Sequence, residues 1–339
     1  MQGQSLFAII TPMKVAFTIA SANFLSQAKT AGDSFLAHHP GDKFCIALLD
    51  KHNEQYDRSF FGSIEVVEIE TIGIPFFQEM VNRYSIFELS NSLKPFCAEF
   101  FLDHFESVSV VVYLDSDVFV YHHMNELDSL LSKYNIIISP HFFTPLPADG
   151  IKQNERHFLN SGLYNGGFFA ISKNSEASRF LSWWKERMRT LCYVDVARGL
   201  FVDQIWLNYV PLYFKGVHLI ENPGFNVAYW NLHERSISKK ADRYLVNDSH
   251  PLVFYHFSGY NLEKTDTLAK YQHRYTFDNR KELAPLFNDY RDILLNNRYM
   301  HFSGLESVYS RNKEKSNRKS IQASRFSRIY KRIKRILQP

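Results

Sequence analysis

The sequence predicts an α/β protein built on an open, doubly wound sheet. Short apolar segments rich in β-branched residues alternate with longer segments whose apolar residues recur every three or four positions. Val108–Leu114 is apolar on both faces, which is typical of a central strand covered by helices on either side. In sheets of this kind, ligands gather beyond the carboxyl ends of the strands, at a switch in strand order.

Each predicted element rests on its own pattern. Three strands precede Val108–Leu114, at residues 14–20, 43–50 and 63–70, because each is a short apolar run. A helix is predicted over residues 23–39, where Phe24, Ala28, Ala31 and Phe35 lie on one face and Pro40-Gly41 ends the pattern. A second helical segment is predicted over residues 85–105.

Composition narrows the class of protein. The three cysteines are widely spaced and include no CxxC pair, so a disulfide framework or a zinc knuckle is not expected. Neither GxGxxG nor GxxxxGK[ST] occurs, which leaves a dinucleotide fold or a P-loop without support. The N-terminal segment lacks a basic region, and no apolar run approaches the roughly 18 residues that span a bilayer. We therefore expect a cytoplasmic protein.

The charge is concentrated at one end of the chain. Residues 311–339 carry a net charge of +10, whereas the remainder, with 28 basic and 34 acidic residues, carries −6. Residues 324–337 place apolar side chains every three or four positions between Arg and Lys, which predicts an amphipathic helix on an anionic membrane surface. Nucleic acid would attract the same charge without needing the apolar stripe, so we do not expect a nucleic-acid partner. Docking of this helix on the acidic body is the structural alternative.

The triplet Asp115-Ser116-Asp117 directly follows Val108–Leu114 and has four explanations. It can be a turn or a helix N-cap. An EF-hand loop fails, because Val120 stands where the turn needs glycine. A phosphoaspartyl phosphotransferase of the haloacid-dehalogenase type would use Asp115, but the paired acids of that class are not found downstream. The fourth explanation is a divalent-metal site for a nucleotide-diphosphate sugar.

Neighbouring motifs favour the fourth explanation. "ELSNSLKPFCAEFFLDHF" precedes the triplet, and "LNSGLYNGGFFAIS", "FVDQIWLNYVP" and "LVFYHFSGY" follow it in that order. Together these motifs resemble the GT-A glycosyltransferases, most closely the retaining enzymes of family 8 and their bacterial polysaccharide relatives. The resemblance covers about residues 13 to 262.

The resemblance implies both an architecture and an activity. The architecture is a single Rossmann-like GT-A domain with a mixed open sheet over residues 13–300, followed by a basic extension over 301–339. The activity is transfer of a hexose-type sugar, with retention, from a nucleotide diphosphate such as UDP to a glycan or lipid-linked glycan. A role in cell-surface polysaccharide biosynthesis at the inner face of the cytoplasmic membrane would follow. The rivals are the phosphotransferase and a nucleic-acid-binding protein that acts through its basic tail.

The resemblance also implies a metal centre and a catalytic pair. Asp115, Asp117 and His256 match the metal ligands, and this mixed carboxylate and imidazole set suits Mn²⁺, with Mg²⁺ as the alternative. Asp203 and Gln204 match a pair that lies against the donor sugar near its anomeric carbon. There the carboxylate would steady an oxocarbenium-like transition state or act as a nucleophile. The plainer interpretation of Asp203 is a helix cap.

The implied donor-binding residues come from five segments. In this sequence they are Ala20, Ser21, Asn23, Phe24, Lys94, Asp115, Ser116, Asn165, Gly167 and Gly259. Phe24 is placed to stack on the base, and Lys94 to meet the sugar or a phosphate. The plainer interpretations are a solvated helix lysine at Lys94 and a β-bulge at Gly167.

The sequence departs from the family at one position and offers several rival residues. Leu262 stands where the family often has a lysine that reaches the diphosphate, and Lys264 is the candidate replacement. A second HFSG motif makes His301 a weaker rival of His256 for the metal. Trp230 suits either sugar stacking or the core. The adjacent histidine pairs at 38–39 and 122–123 are interpreted as non-ligands, since their side chains diverge.

Overall fold

The computed structural model describes residues 13–51, 57–151 and 153–309, and it shows a mixed α/β architecture. The strands are β1 (Met13–Ala20), β2 (Lys43–Leu48), β3 (Glu65–Glu68), β4 (Val108–Leu114), β5 (Val118–Val120), β6 (Ile136–Pro140), β7 (Tyr164–Ser172), β8 (Val194–Asp195), β9 (Leu200–Phe201), β10 (Val217–Leu219), β11 (Ile237–Lys240), β12 (Arg243–Val246), β13 (His250–Pro251) and β14 (Phe254–His256). The α-helices are α1 (Leu25–His38), α2 (Phe77–Arg83), α3 (Ile86–Ser92), α4 (Lys94–His104), α5 (Asn125–Leu131), α6 (Glu155–Ser161), α7 (Ser175–Leu191), α8 (Val210–Tyr213), α9 (Ala284–Asn296) and α10 (Tyr299–Phe302).

A seven-stranded open sheet organises the molecule, in the order β10-β6-β7-β4-β1-β2-β3. Its neighbouring strands are parallel except at β7, which runs antiparallel to both β4 and β6. The α/β class and the mixed open sheet predicted from the sequence are therefore confirmed.

The two faces of the sheet bury separate apolar clusters. Val111 and Tyr113 of β4 pack in the cluster that contains α4 and α7, whereas Val112 and Leu114 pack in the cluster that contains α1. Successive side chains of a strand point to opposite faces, so a central strand must be apolar throughout. This explains why the run at β4 lacks polar alternation.

The predicted helical segment over residues 85–105 divides into α3 and α4, with Leu93 between them. Pro95 lies in the first turn of α4, where its missing N–H group costs nothing. A single helix through this point would place that proline in its interior. The break puts Lys94 at the start of α4, directed toward the carboxyl edge of the sheet.

A smaller unit packs beside that edge. It contains the sheet β11-β12-β13, the antiparallel pair β5–β14 and α9, around a third apolar cluster. The pairing of β14 with β5 sets His256 opposite Val118, and the Phe257 N–H donates to the Asp117 carbonyl at 2.8 Å. A residue late in the chain is thereby fixed beside the Asp-Ser-Asp turn.

The C-terminal helices return to the N-terminal half of the sheet. The Ser26 hydroxyl donates to the Leu294 carbonyl at 3.1 Å, and Phe302 is fully buried. Packing continues through Tyr309, whose hydroxyl donates to Glu70 at 2.7 Å. The amphipathic helix predicted over residues 324–337 lies outside the described residues. Within the described ranges, no helix has the length and apolar character needed to cross a bilayer.

Candidate active site

Asp115, Asp117 and His256 converge at the carboxyl end of β4. One ligand atom from each residue lies within 4.8 Å of the other two. The His256 Nε2 atom is 2.9 Å from the Asp117 Oδ1 atom and 3.7 Å from the Asp115 Oδ2 atom. The Asp115 N–H donates to the Gly167 carbonyl at 2.9 Å, which ties this turn to β7.

The surroundings of the three residues fit a divalent cation. A Cβ atom at Gly167 would lie 2.5 Å from His256 Cε1 and 2.6 Å from Asp115 Oδ2, so only glycine leaves room for the ligand groups to meet. The His256 Nδ1 atom lies 3.3 Å from the Asn226 amide oxygen, so Nδ1 carries a proton and Nε2 is the nitrogen that faces the carboxylates of Asp115 and Asp117. Nε2 is therefore the atom that would bind a cation. Two carboxylates and one imidazole are a donor set that suits Mn²⁺ or Mg²⁺.

Neighbouring charges determine the direction in which the pKa values of Asp115 and His256 are shifted. Burial alone would raise the pKa of Asp115, but Lys94 and His256 hold this pKa below its usual value. Burial alone would lower the pKa of His256. The carboxylates of Asp117 and Asp115 raise it by more, so this pKa lies above its usual value. The two carboxylates therefore favour a positive charge beside them, as a cation-binding site requires.

Lys94 is buried in an ion pair and is not a solvated helix lysine. Its ammonium group donates to Asp203 Oδ2 at 3.0 Å and to the Gly166 carbonyl at 2.9 Å. It also lies 3.6 Å from Asp115 Oδ1 and 4.8 Å from the centre of the Tyr113 ring. Burial lowers the pKa of Lys94, but Asp115 and Asp203 raise it further, so the amine stays charged.

Asp203 is not a side-chain cap. It precedes the 3-10 helix Gln204–Tyr209, but its side chain makes no capping hydrogen bond there. Its Oδ1 atom is buried, and the described residues offer it no hydrogen-bond partner. Burial raises the pKa of Asp203 to about 6, against the pull of Lys94. A buried carboxylate oxygen without a donor is costly, and a bound ligand that supplies a donor would relieve this cost.

The side-chain amides of Gln204 and Asn165 bind the backbone N–H groups of two glycines that lie next to Asp203 and Asp115. The Gln204 side chain accepts from the Gly166 N–H at 3.1 Å and donates to the Ser161 carbonyl at 2.9 Å. The Asn165 side chain accepts from the Gly167 N–H at 3.0 Å and from the Asn226 amide at 3.1 Å. These paired bonds fix the orientation of both amides.

The loop after β1 forms the other end of the same cleft. The Ser21 hydroxyl donates to Asn23 Oδ1 at 2.6 Å, and Phe24 is 43% exposed. All the predicted site residues border one cleft of about 1390 Å³. They are Ala20, Ser21, Asn23, Phe24, Lys94, Asp115, Ser116, Asp117, Asn165, Gly167, Asp203, Gln204, His256 and Gly259.

The structure also places residues that the sequence reasoning missed. Tyr113 donates its hydroxyl proton to Asp115 Oδ1 at 2.6 Å, and Asn226 orients His256. His141 borders the cleft, with its Nδ1 atom 3.0 Å from the Leu163 carbonyl, and burial lowers the pKa of His141 to about 3. Tyr113 directly precedes Leu114 and the DSD triplet, which is a signal that the sequence offered. The sequence carries no comparable signal for His141 or Asn226.

Lys270 and Trp230 border the cleft, whereas Lys264 and His301 do not. Lys264 does not border the cleft, but Lys270 does, and the Lys270 N–H donates to the Gly259 carbonyl at 3.0 Å. His301 lies exposed on α10 and is not part of the cluster of Asp115, Asp117 and His256. Trp230 is 5% exposed and packs edge-on against the His256 ring, so it is largely a core residue with one edge on the cleft.

The two histidine pairs meet away from the cleft. The rings of His39 and His123 stack with centroids 4.4 Å apart. His39 Nε2 accepts from the Met124 N–H at 3.0 Å, while Nδ1 donates to the Phe35 carbonyl at 2.9 Å. Both ring nitrogens of His39 are therefore used in joining α1 to the start of α5.

No family model matches this chain. Among curated proteins, it is 31% identical over 178 residues to YfnF, an uncharacterized protein of Bacillus subtilis (strain 168), a match that covers 50% of this chain and 56% of the relative. It is 33% identical over 119 residues to YfnD, an uncharacterized protein of the same organism, covering 34% of this chain and 38% of the relative. The matched region therefore spans about half the length, or less, of these relatives.

Solved structures of glycosyltransferases also align with the chain. A galactosyltransferase, LgtC, in complex with donor and acceptor sugar analogs is 18% identical, with a TM-score of 0.46, and the alignment covers 83% of this chain and 95% of that one. The glycosyltransferase GlyE of Streptococcus pneumoniae TIGR4 is 16% identical, with a TM-score of 0.48, covering 88% and 66%. These are distant similarities, and the function proposed below rests on the side chains of the cleft.

Proposed function

We propose that this protein is a metal-dependent glycosyltransferase that moves a hexose-type sugar from a nucleotide diphosphate, UDP in the first instance, to a glycan or lipid-linked glycan. One observation carries the proposal. Two carboxylates and a histidine, grouped closely enough to share a cation, lie beside a buried Lys94–Asp203 pair at the carboxyl edge of an open α/β sheet. The similarity of the sequence motifs to retaining GT-A enzymes supports the same assignment.

The ligands of the cation are Asp115, Asp117 and His256, and Mn²⁺ is the ion proposed, with Mg²⁺ as the alternative. When bound, the ion neutralises the diphosphate and the charge that develops on the leaving nucleotide. Lys94 adds a fixed positive charge 3.6 Å from Asp115 Oδ1, so it stabilises the negative oxygens gathered there. Lys270 borders the cleft next to Gly259, and we assign to it the role of the diphosphate-binding lysine expected at Leu262.

Asp203 acts on the sugar side of the site. Its carboxylate is 1% exposed and bound to Lys94, which suits electrostatic stabilisation of an oxocarbenium-like sugar better than direct attack. Gly166 is what allows this close approach, because a Cβ atom there would lie 2.6 Å from Asp203 Oδ2. Gln204 holds the Gly166 N–H, so it positions the strand across which the sugar lies.

The proposed acceptor is a glycan or lipid-linked glycan, and the proposed place of action is the inner face of the cytoplasmic membrane. We assign the acceptor to the part of the cleft bordered by His141, Tyr229 and Tyr271. A lipid-linked glycan on the inner face of the cytoplasmic membrane fits the basic tail, which would hold the enzyme at an anionic surface. The resulting role is in cell-surface polysaccharide biosynthesis.

Hydrolysis of nucleotide sugars without an acceptor tests this proposal. Purified protein is incubated with UDP-hexoses in the presence of Mn²⁺, and the release of UDP and the anomer of the first-formed sugar are followed by NMR. We expect UDP release that EDTA abolishes, with the anomeric configuration retained. Release of inorganic phosphate from phosphate esters through Asp115, without UDP release, would support the phosphotransferase instead.

A further inference from the structure

The order of strands separates the two ends of the cleft. The metal ligands follow β4, and the sugar-side residues Asn165, Gly166 and Gly167 belong to its neighbour β7. On the opposite side of β4 lies β1, followed by the loop that carries Asn23 and Phe24. A nucleotide sugar whose diphosphate sits at the metal must therefore place its nucleoside on the β1 side.

The β1 side has a second wall, which comes from the C-terminal part of the described chain. The helix α10 packs against the segment Ala22–Phe24. Tyr299, Met300, Ser303 and Gly304 border the cleft together with Phe24. Met300 is 75% exposed and Phe24 is 43% exposed, so two large apolar side chains that border the same cleft are open to solvent.

A buried carboxylate clamps this wall to the donor loop. Asp50 is 4% exposed and accepts from the Ala22 N–H at 2.7 Å, the Ser307 hydroxyl at 2.6 Å and the Val308 N–H at 2.8 Å. Three donors to one buried anion make a strong set of charge-assisted hydrogen bonds. The position of residues 299–309 is therefore tied directly to the loop that holds Phe24.

We propose that α10 forms the second face of the nucleobase slot, with the Met300 thioether and the Phe24 ring on opposite sides of the base. The inference rests on the proposed function, because it takes the donor to be a nucleoside diphosphate. A flat heterocycle between the two side chains covers both of them. Methionine sulfur and an aromatic face are each good stacking partners.

The test compares a ligand that has a base with one that does not. Binding of UDP and of inorganic pyrophosphate, both with Mn²⁺, is measured by calorimetry on the full-length chain and on Met300→Ser, Met300→Leu and Leu212→Ser. Leu212 is 77% exposed and does not border the cleft, so it is the matched control for loss of an exposed apolar side chain. We expect Met300→Ser to weaken UDP binding about five- to tenfold and to leave pyrophosphate unchanged. Met300→Leu and Leu212→Ser should stay within about twofold of the unsubstituted protein.

Two outcomes overturn the inference alone. One is UDP binding by Met300→Ser that equals that of the unsubstituted protein. The other is an equal loss of UDP and pyrophosphate binding, which would mean that the change damages the metal site. If the unsubstituted protein binds another nucleoside diphosphate more tightly than UDP, that nucleotide replaces UDP in the comparison. Failure to bind UDP, GDP, CDP or ADP with Mn²⁺ would instead sink the proposed function, and the inference with it.

Discussion

Lys94 and Asp203 are both nearly inaccessible to solvent, and each would be costly to bury without the other. Two glycines of β7 leave room for the charged side chains of the cleft. Gly166 lets Asp203 approach β7, and Gly167 lets Asp115 and His256 meet. At the scale of single residues, the cleft thus contains charged groups that lie close together because Gly166 and Gly167 carry no side chains.

Asp203→Asn keeps the shape of the side chain and removes its charge. We expect turnover to fall by about 10² or more with donor affinity little changed, because the carboxylate acts mainly in the transition state. Steady-state kinetics of UDP-sugar hydrolysis, with donor binding measured separately by calorimetry, gives both quantities. Weaker donor binding with turnover preserved would reduce Asp203 to a positioning residue.

Gly167→Ala adds one methyl group at the metal centre. Its Cβ atom would lie 2.5 Å from His256 Cε1 and 2.6 Å from Asp115 Oδ2, so these side chains must move apart. We expect Mn²⁺-dependent UDP binding to weaken more than tenfold, while far-UV circular dichroism stays unchanged because the displaced atoms are side-chain ends. Unchanged UDP affinity would show that Gly167 is only a bulge residue.

At the scale of elements, the sequence predicted what local patterns determine and missed what distant pairing determines. Strand β4 has the predicted bounds, because a run apolar on both faces suits only a strand covered on both sides. The antiparallel direction of β7 was not predictable in this way, since the alternation of apolar residues is the same for either direction. The pairing of β14 with β5 brings His256 to Asp117 across more than a hundred residues, and the resemblance to a family, not periodicity, predicted that meeting.

The lysine near the HFSG motif is a second feature that local sequence spacing did not predict. Spacing along the chain favoured Lys264, which is two residues from the expected position. The loop instead turns back, so that the backbone N–H of Lys270 donates to the Gly259 carbonyl and Lys270, not Lys264, borders the cleft. Such a return depends on Gly259, whose φ of +75° is open to glycine at little cost.

The joint between α1 and α5 should make stability depend on pH. Burial lowers the pKa of His39 from 6.5 to about 4, against the hydrogen bond to the Phe35 carbonyl, which raises it; the neighbouring side chains of His123 and Lys14 lower it further. Between these values the unfolded chain binds a proton that the folded chain does not. This contribution to the free energy of unfolding is therefore complete above pH 6.5 and is lost as the pH falls, by at most about 1.4 kcal/mol per unit.

The variant His39→Gln isolates this contribution. Urea unfolding at pH 7 and pH 5.5 should show a smaller loss of stability on acidification in His39→Gln than in the unsubstituted protein. His141, whose pKa is also lowered, remains in both proteins and cancels in the comparison. An equal loss of stability in the two proteins would mean that folding does not lower the pKa of His39.

At the scale of the whole molecule, an acidic body precedes a strongly basic terminal segment. The described chain includes the clamp at Ser307 and Val308, and every residue for which we propose a role in donor binding precedes that clamp. Truncation after Ser310 should therefore leave hydrolysis of soluble donor intact and abolish sedimentation with anionic liposomes. A truncated protein that still pellets, or a full-length protein that never does, would contradict a membrane role for residues 324–337.

The central claim is that Asp115, Asp117 and His256 hold a cation through which the protein binds a nucleoside diphosphate. The most direct measurement is calorimetric titration of UDP into the unsubstituted protein and into Asp117→Ala, each with Mn²⁺ and with EDTA. We expect binding by the unsubstituted protein with Mn²⁺ alone, and none by Asp117→Ala under either condition, although Asp117→Ala stays folded. UDP binding that survives both EDTA and the loss of Asp117 would contradict the account.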